Sequence, residues 1–224
     1  AIQVGITRVL KEAGVNPIAV TGHSVGEVAA AWAAGALSLS SAVKVIYYRS
    51  HYQGITKGLG LMTAVAASVS VVAALLEEHG YSTRLTIAGI NSHSGITMAG
   101  QVNELAAFEE VLDNQGIVYK RLALDYAFHS PAMDSIQAGV ESALKLLPLD
   151  RTAVDFYSTV TGDVAPGQNL NATYWWKNIR RPVLFANALE RMVDKGINVF
   201  IEVGPSAVLR SYVRDTLRLE NIAG

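Results

Sequence analysis

Apolar positions change period several times along the chain, and those changes predict its elements. Residues 3–13 place Val4, Ile6, Val9 and Leu10 at helical spacing, as in an amphipathic helix. Residues 17–20 form an apolar run of strand type and give way to an alanine-rich helical stretch, 28–36. Ser40 or Ser41 is placed to cap a helix over 42–53, and Gly54, Gly58 and Gly60 form a glycine-rich link. Beyond it the pattern predicts strand 61–66, helix 69–79, strands 85–90 and 96–99 around a turn at 91–95, helix 102–114 and strand 116–121. That β-α-β-β-α-β order is the ferredoxin-like pattern. Pro131 then opens a helix to about 147. Strand 154–159, a short helix 173–179, a helix after Pro182 that runs to 195, strand 198–203 and a last helix 206–218 follow. Alternating strands and helices predict an α/β fold with a mostly parallel sheet. The expected division is a large α/β part, 1–58 and 124–224, with a small ferredoxin-like insert, 59–123.

A chain of 224 residues fits one large domain with room for such an insert. Half of the residues are hydrophobic and 17% are charged, which is ample for a substantial core. A net charge of −1 gives no electrostatic case for nucleic acid. No run of 18 apolar residues predicts a membrane helix. The absence of cysteine excludes disulfides, a thiolate zinc site and a cysteine nucleophile, and is compatible with a reducing, cytoplasmic setting. The five histidines lack metal-site spacing, so no metal is expected.

Gly22-His23-Ser24-Val25-Gly26 lies between the predicted strand and helix. A serine at the apex of such a turn is lifted clear of the sheet. Small residues on either side let strand and helix approach closely. The N–H groups after the serine sit at a helix N-terminus, where a developing oxyanion is stabilised. The motif thus reads as a nucleophile elbow with Ser24 as nucleophile. The bland alternative is a glycine-rich turn whose serine only caps the helix.

A serine nucleophile needs a base. His23 neighbours Ser24, and a turn of this kind directs adjacent side chains apart, which favours a structural role. His51 and His79 fall on predicted helix surfaces, and His93 in the 91–95 turn. His129 sits where the chain re-enters the larger part, at the lip of any cleft; the alternative is a buried structural histidine. An α/β-hydrolase carries its histidine late in the chain. None follows position 129 here, so that class fits poorly.

Five segments together resemble the acyltransferase domain of modular polyketide synthases and, more distantly, malonyl-CoA:acyl carrier protein transacylases. They are Gly22-His23-Ser24-Val25-Gly26-Glu27, Tyr48-Arg49-Ser50, Tyr126-Ala127-Phe128-His129-Ser130-Pro131-Ala132-Met133, Tyr174-Trp175-Trp176-Lys177-Asn178-Ile179-Arg180-Arg181-Pro182-Val183 and Glu202-Val203-Gly204-Pro205. The resemblance spans essentially the whole chain. It implies a hydrolase-like α/β part with a ferredoxin-like insert. It also implies a Ser24–His129 dyad that moves an acyl group from malonyl-CoA to the phosphopantetheine thiol of an acyl carrier protein. No bound cofactor is implied, and neighbouring domains of a larger synthase are the expected partners. The backbone carbonyl of Asn178 is expected to orient His129. Asp125 and Asp134, which flank His129 in sequence, are expected to be structural or solvated.

By the same resemblance, Arg49 would hold the free carboxylate of a malonyl-type group; a guanidinium fork fits a carboxylate and stays charged. Tyr126 matches the family's methylmalonyl pattern and Phe128 its malonyl pattern. Phe128 would fill the space an α-methyl needs, so malonyl is the expected extender, with methylmalonyl as the alternative. The family's opening strand and its Gly-Gln-Gly segment have no counterpart before residue 1, so the N-terminal strand is expected to be missing. The backbone N–H of Val25 is then the obvious oxyanion donor. A serine hydrolase or thioesterase, and a non-catalytic docking domain, stand as alternatives. Arg49 argues against the first, since neutral esters have no use for it, and the full Ser24, Arg49 and His129 set argues against the second.

Overall fold

The computed structural model describes residues 1–219. Helix α1 (Ile2–Glu12) leads to strand β1 (Ala19–Thr21), the turn at Ser24 and helix α2 (Gly26–Ala33). Helix α3 (Leu39–Ile55) is capped by Ser38, whose Oγ accepts from the Ser41 N–H at 3.0 Å. The cap therefore lies two residues before the earlier of the expected pair. Ser38 has extended backbone at ψ 160°, whereas Ser40 and Ser41 already belong to the first turn.

Strand β2 (Leu61–Val65), helix α4 (Val69–Glu78), strands β3 (Leu85–Ser92) and β4 (Gly95–Gly100), helix α5 (Val102–Asn114) and strand β5 (Tyr119–Arg121) follow in the predicted order. Pro131 opens a 3-10 turn, Pro131–Ile136, before helix α6 (Gln137–Leu144). Strands β6 (Asp155–Ser158) and β7 (Asp163–Val164) precede helix α7 (Ala172–Arg180), strand β8 (Val183–Leu184), and helices α8 (Phe185–Asp194) and α9 (Arg210–Leu219).

The strands form two sheets. One has the order β5-β2-β4-β3-β8, antiparallel except for the parallel β3–β8 pair. The other has the order β1-β6-β7. Here β1 and β6 run parallel, with Val20 opposite Phe156, and β7 runs antiparallel to β6. The fold is α/β with mixed sheets. The expected mostly parallel sheet is not seen among the described residues, where β1–β6 and β3–β8 are the parallel pairs and the remaining pairs are antiparallel. Residues 198–203 do not form the expected strand, and among the described residues no strand pairs with them. Val199 is 77% exposed and Ile201 57% exposed. Gln3 Nε2 reaches the Val203 carbonyl at 3.3 Å, and Glu202 turns to the Val208 and Leu209 N–H groups instead.

The cores follow the sheets. Phe156 and Trp175 are buried with α2, α3, α6 and α7 against the β1–β6 pair. Met98, Leu105, Phe108 and Leu112 seal α4 and α5 onto the larger sheet. Burying each such side chain is worth about 1.5–3 kcal/mol, and truncating Phe108 to alanine would cost about 3–5 kcal/mol. Among the described residues no helix is long and apolar enough to cross a membrane.

Candidate active site

The turn between β1 and α2 holds Ser24 at φ 53°. This left-handed dihedral costs a non-glycine residue about 1–3 kcal/mol and persists only when its surroundings enforce it. Close approach is part of that enforcement. A Cβ on Gly22 would collide with the backbone of Gly26 and Glu27. Val25 is the N-cap of α2, so its N–H stands at the positive end of the helix.

Ser24 Oγ lies 2.7 Å from His129 Nε2. His129 is also left-handed, at φ 58°, and buried. Its N–H donates to the Ile179 carbonyl at 3.1 Å, and its Nδ1 lies 2.9 Å from the Arg181 carbonyl. A carbonyl can only accept, so Nδ1 carries the proton and Nε2 is left as the acceptor facing Ser24. The orienting carbonyl is thus that of Arg181, not Asn178. Asn178 lies within α7, whereas Arg181 is its C-cap with extended backbone (ψ 157°), which frees its carbonyl to face the ring. Asp134 pairs with Arg180. Neither Asp134 nor Asp125 makes a hydrogen bond or ion pair to His129 among the described residues.

Burial, the Arg49 guanidinium and His23 together push His129 down to about 3, despite the Arg181 carbonyl. The imidazole is therefore neutral at ordinary pH. Arg49 Nη2 donates to Ser24 Oγ at 3.1 Å. Burial lowers Arg49 to about 10, against the opposing pull of Glu27, and it stays charged. Arg49 has no salt-bridge partner among the described residues, and its Nε is buried without an acceptor. A buried cation in that state is costly and suits an anionic ligand. Tyr126 and Phe128 stack at 4.7 Å between ring centroids, both half-buried, three and one residues before His129 respectively.

Three features escaped the sequence reading. Glu27 is fully buried on the inner face of α2. Its Oε1 accepts the Thr159 N–H, and its Oε2 accepts from Asn178 Nδ2 at 2.6 Å and the Tyr174 hydroxyl at 3.0 Å. Desolvation raises it to about 7 against those three donors. A carboxylate among Val28, Ala30 and Ala31, all core residues, was the signal available in the sequence. Asn178 Nδ2 also donates to the Ser24 carbonyl at 3.1 Å. Finally, His23 Nε2 lies 2.7 Å from Asn91 Oδ1, and Asn91 Nδ2 donates to Thr97 Oγ1 at 2.9 Å. This chain ties the elbow to β3 and β4.

Among the described residues no cluster of three His, Asp or Glu side chains could hold a metal ion. A neutral imidazole on a serine, beside a buried unpaired guanidinium, can activate an alkoxide next to an anion site.

The family model of the acyl transferase domain matches residues 1–223. Erythronolide synthase EryA2 of Saccharopolyspora erythraea is 36% identical over 216 residues, covering 96% of this chain and 6% of that relative's length. The acyltransferase domain from module 8 of the salinomycin polyketide synthase superposes with a TM-score of 0.95 at 34% identity, covering 99% of this chain and 52% of that one. The malonyl CoA-acyl carrier protein transacylase from Clostridium perfringens shares the fold, with a TM-score of 0.89 at 24% identity over 96% of this chain and 69% of that one. The resemblance read from the five sequence segments is thus met by comparison of the whole chain, which belongs to the acyl transferase domain family of polyketide synthases and related transacylases.

Proposed function

We propose that this acyltransferase loads a malonyl-type extender unit from CoA onto an acyl carrier protein, through an ester on Ser24. The reading rests on one arrangement: the Ser24–His129 contact at 2.7 Å beside the buried, carboxylate-free Arg49. Ser24 Oγ attacks the thioester carbonyl while His129 Nε2 takes its proton. The Val25 N–H, at the start of α2, is aimed to stabilise the oxyanion. As the tetrahedral adduct collapses, the C–S bond breaks and the CoA thiolate receives the proton from His129. The carrier's phosphopantetheine thiol then enters, gives its proton to His129, attacks the ester and returns Ser24 to the hydroxyl form. This is ping-pong acyl transfer.

Arg49 is the anchor for the carboxylate of the acyl group, and Phe128 restricts the space beside its α-carbon, which favours malonyl over methylmalonyl. Residues 59–123 form a ferredoxin-like subdomain, supported by the strand order β5-β2-β4-β3, set into a hydrolase-like part formed by 1–58 and 124–224. Neighbouring synthase domains and a carrier protein are the partners, and the setting is cytoplasmic. Incubation with malonyl-CoA, methylmalonyl-CoA and acetyl-CoA, followed by intact-mass and peptide analysis, tests the reading. A malonyl adduct on the Ser24 peptide is expected; an adduct elsewhere, or none, rejects it.

A further inference from the structure

The last turn of α7 holds both reacting residues. Asn178 Nδ2 donates to the Ser24 carbonyl at 3.1 Å, the Ile179 carbonyl accepts from the His129 N–H at 3.1 Å, and the Arg181 carbonyl faces His129 Nδ1 at 2.9 Å. Ser24 and His129 both need such restraint, because neither backbone is in a conformation that its residue type favours. On the serine side the restraint runs through side chains.

The Asn178 amide can face only one way. Its Nδ2 meets two acceptors, the Ser24 carbonyl and Glu27 Oε2, and a flipped amide would set its oxygen against both. Glu27 is fixed in turn by the Thr159 N–H at the end of β6 and by Tyr174 on α7, and Thr159 Oγ1 closes the circuit on the Gly22 carbonyl at 3.1 Å. Helix α2 does not require this. An acidic residue in a first turn serves the helix from the surface. Here the carboxylate is sealed inside and committed to the elbow.

We propose that Asn178 and Glu27 are positioning residues of the acylation step, holding the Ser24 backbone in the turn that aims its Oγ at His129. This rests on the acyl-transfer reading above. Asn178 acts on the Ser24 carbonyl alone, so its loss should slow acylation without weakening capture of the acyl donor. Glu27 also lends its charge to Arg49, so its loss should disturb both.

The test uses two reagents on the whole chain. A fluorophosphonate reports Ser24 nucleophilicity without needing Arg49, and malonyl-CoA reports the acyl-transfer step. Asn178→Asp keeps the side-chain shape and removes both donors; Asn178→Ala removes the group. For both, the maximal rate of Ser24 modification should fall roughly 10–100-fold, the scale of a misplacement near 1 Å. The malonyl-CoA concentration for half-saturation should stay within about threefold, as for an interaction confined to the transition state. Rates within about twofold of the unaltered chain, or a loss carried by half-saturation alone, would overturn the proposal. If the Asn178 variants fail to fold, Glu27→Gln judges it on the fluorophosphonate rate, because an amide there cannot accept from both Asn178 and the Thr159 N–H. A chain that reacts with the fluorophosphonate but not with malonyl-CoA would reject the acyl-transfer reading and leave the positioning claim to be decided by the probe.

Discussion

Ser24 and His129 meet at 2.7 Å from two backbone positions that are both left-handed, at φ 53° and 58°. The contact therefore depends on an uncommon main-chain conformation at both ends. Replacing Ser24 by alanine keeps the strained turn and removes only the hydroxyl. Ser24→Ala should abolish acylation and shift the melting temperature by no more than about 4 °C, as expected for a loss near 1 kcal/mol in a chain of this size. Persistent labelling of the Ser24 peptide's neighbours, at the original rate, would move the nucleophile elsewhere.

His129 is held neutral down to about pH 3, chiefly by burial. It should thus serve as base without first losing a proton, and kcat/KM for acylation should show no His129 limb near the ordinary value of 6.5. Removing it, as His129→Ala, should slow acylation roughly 10²–10⁴-fold. A pH–rate profile that loses a limb at 6.5 in this variant would contradict the assignment.

Glu27 makes the opposite contribution to pH dependence. Its folded value, about 7, lies above the ordinary 4.5, so the folded state holds the proton more tightly. The stability it contributes is complete below about pH 4.5 and is lost as pH rises through about 7. That interval corresponds to roughly 3 kcal/mol. For His129 the sign reverses: its contribution is present above pH 6.5 and lost as pH falls towards 3. Chemical denaturation of the unaltered chain and of Glu27→Gln at pH 4.5 and 8 isolates the first effect. The advantage of the unaltered chain should shrink across that range; a constant difference would show that Glu27 does not titrate there.

Arg49 is buried with an unpartnered Nε and, among the described residues, no salt bridge to a carboxylate. Arg49→Ala should therefore cut malonyl loading by about 10² or more, the scale of a charged hydrogen-bond pair, and leave acetyl loading unchanged or higher. Equal losses for both acyl groups would assign Arg49 to the fold.

Phe128 is stacked on Tyr126, next to His129 in sequence. Phe128→Ser should raise the ratio of methylmalonyl to malonyl loading by at most about 10–200-fold, the worth of one methyl group. An unchanged ratio in competition assays would place selection on other residues.

Local structure was legible in the sequence. The helix expected over 102–114 is α5 (Val102–Asn114), and the elbow at Ser24 follows from two glycines between a strand and a helix. Long-range pairing was not. Residues 198–203 have strand composition, but composition does not supply a neighbour. Arg181 rather than Asn178 faces His129 because α7 ends at Arg180, and a helix end is a matter of one or two residues. Glu27 and Asn178 are 151 positions apart, a separation that no local period encodes.

The pairing of β8 with β3 has a consequence for engineering. Val183 and Leu184, which follow the α7 turn whose carbonyls contact His129, pair in parallel with Gly89 and Ile90, within residues 59–123. Asn91, one residue further along β3, grips His23 next to Ser24. Exchanging residues 59–123 between relatives would thus not be a neutral graft of a peripheral lobe. The incoming segment would have to reproduce both the strand edge at 89–90 and the Asn91 amide, or the transplant would loosen the turn at Ser24 while leaving Ser24, Arg49 and His129 themselves unchanged.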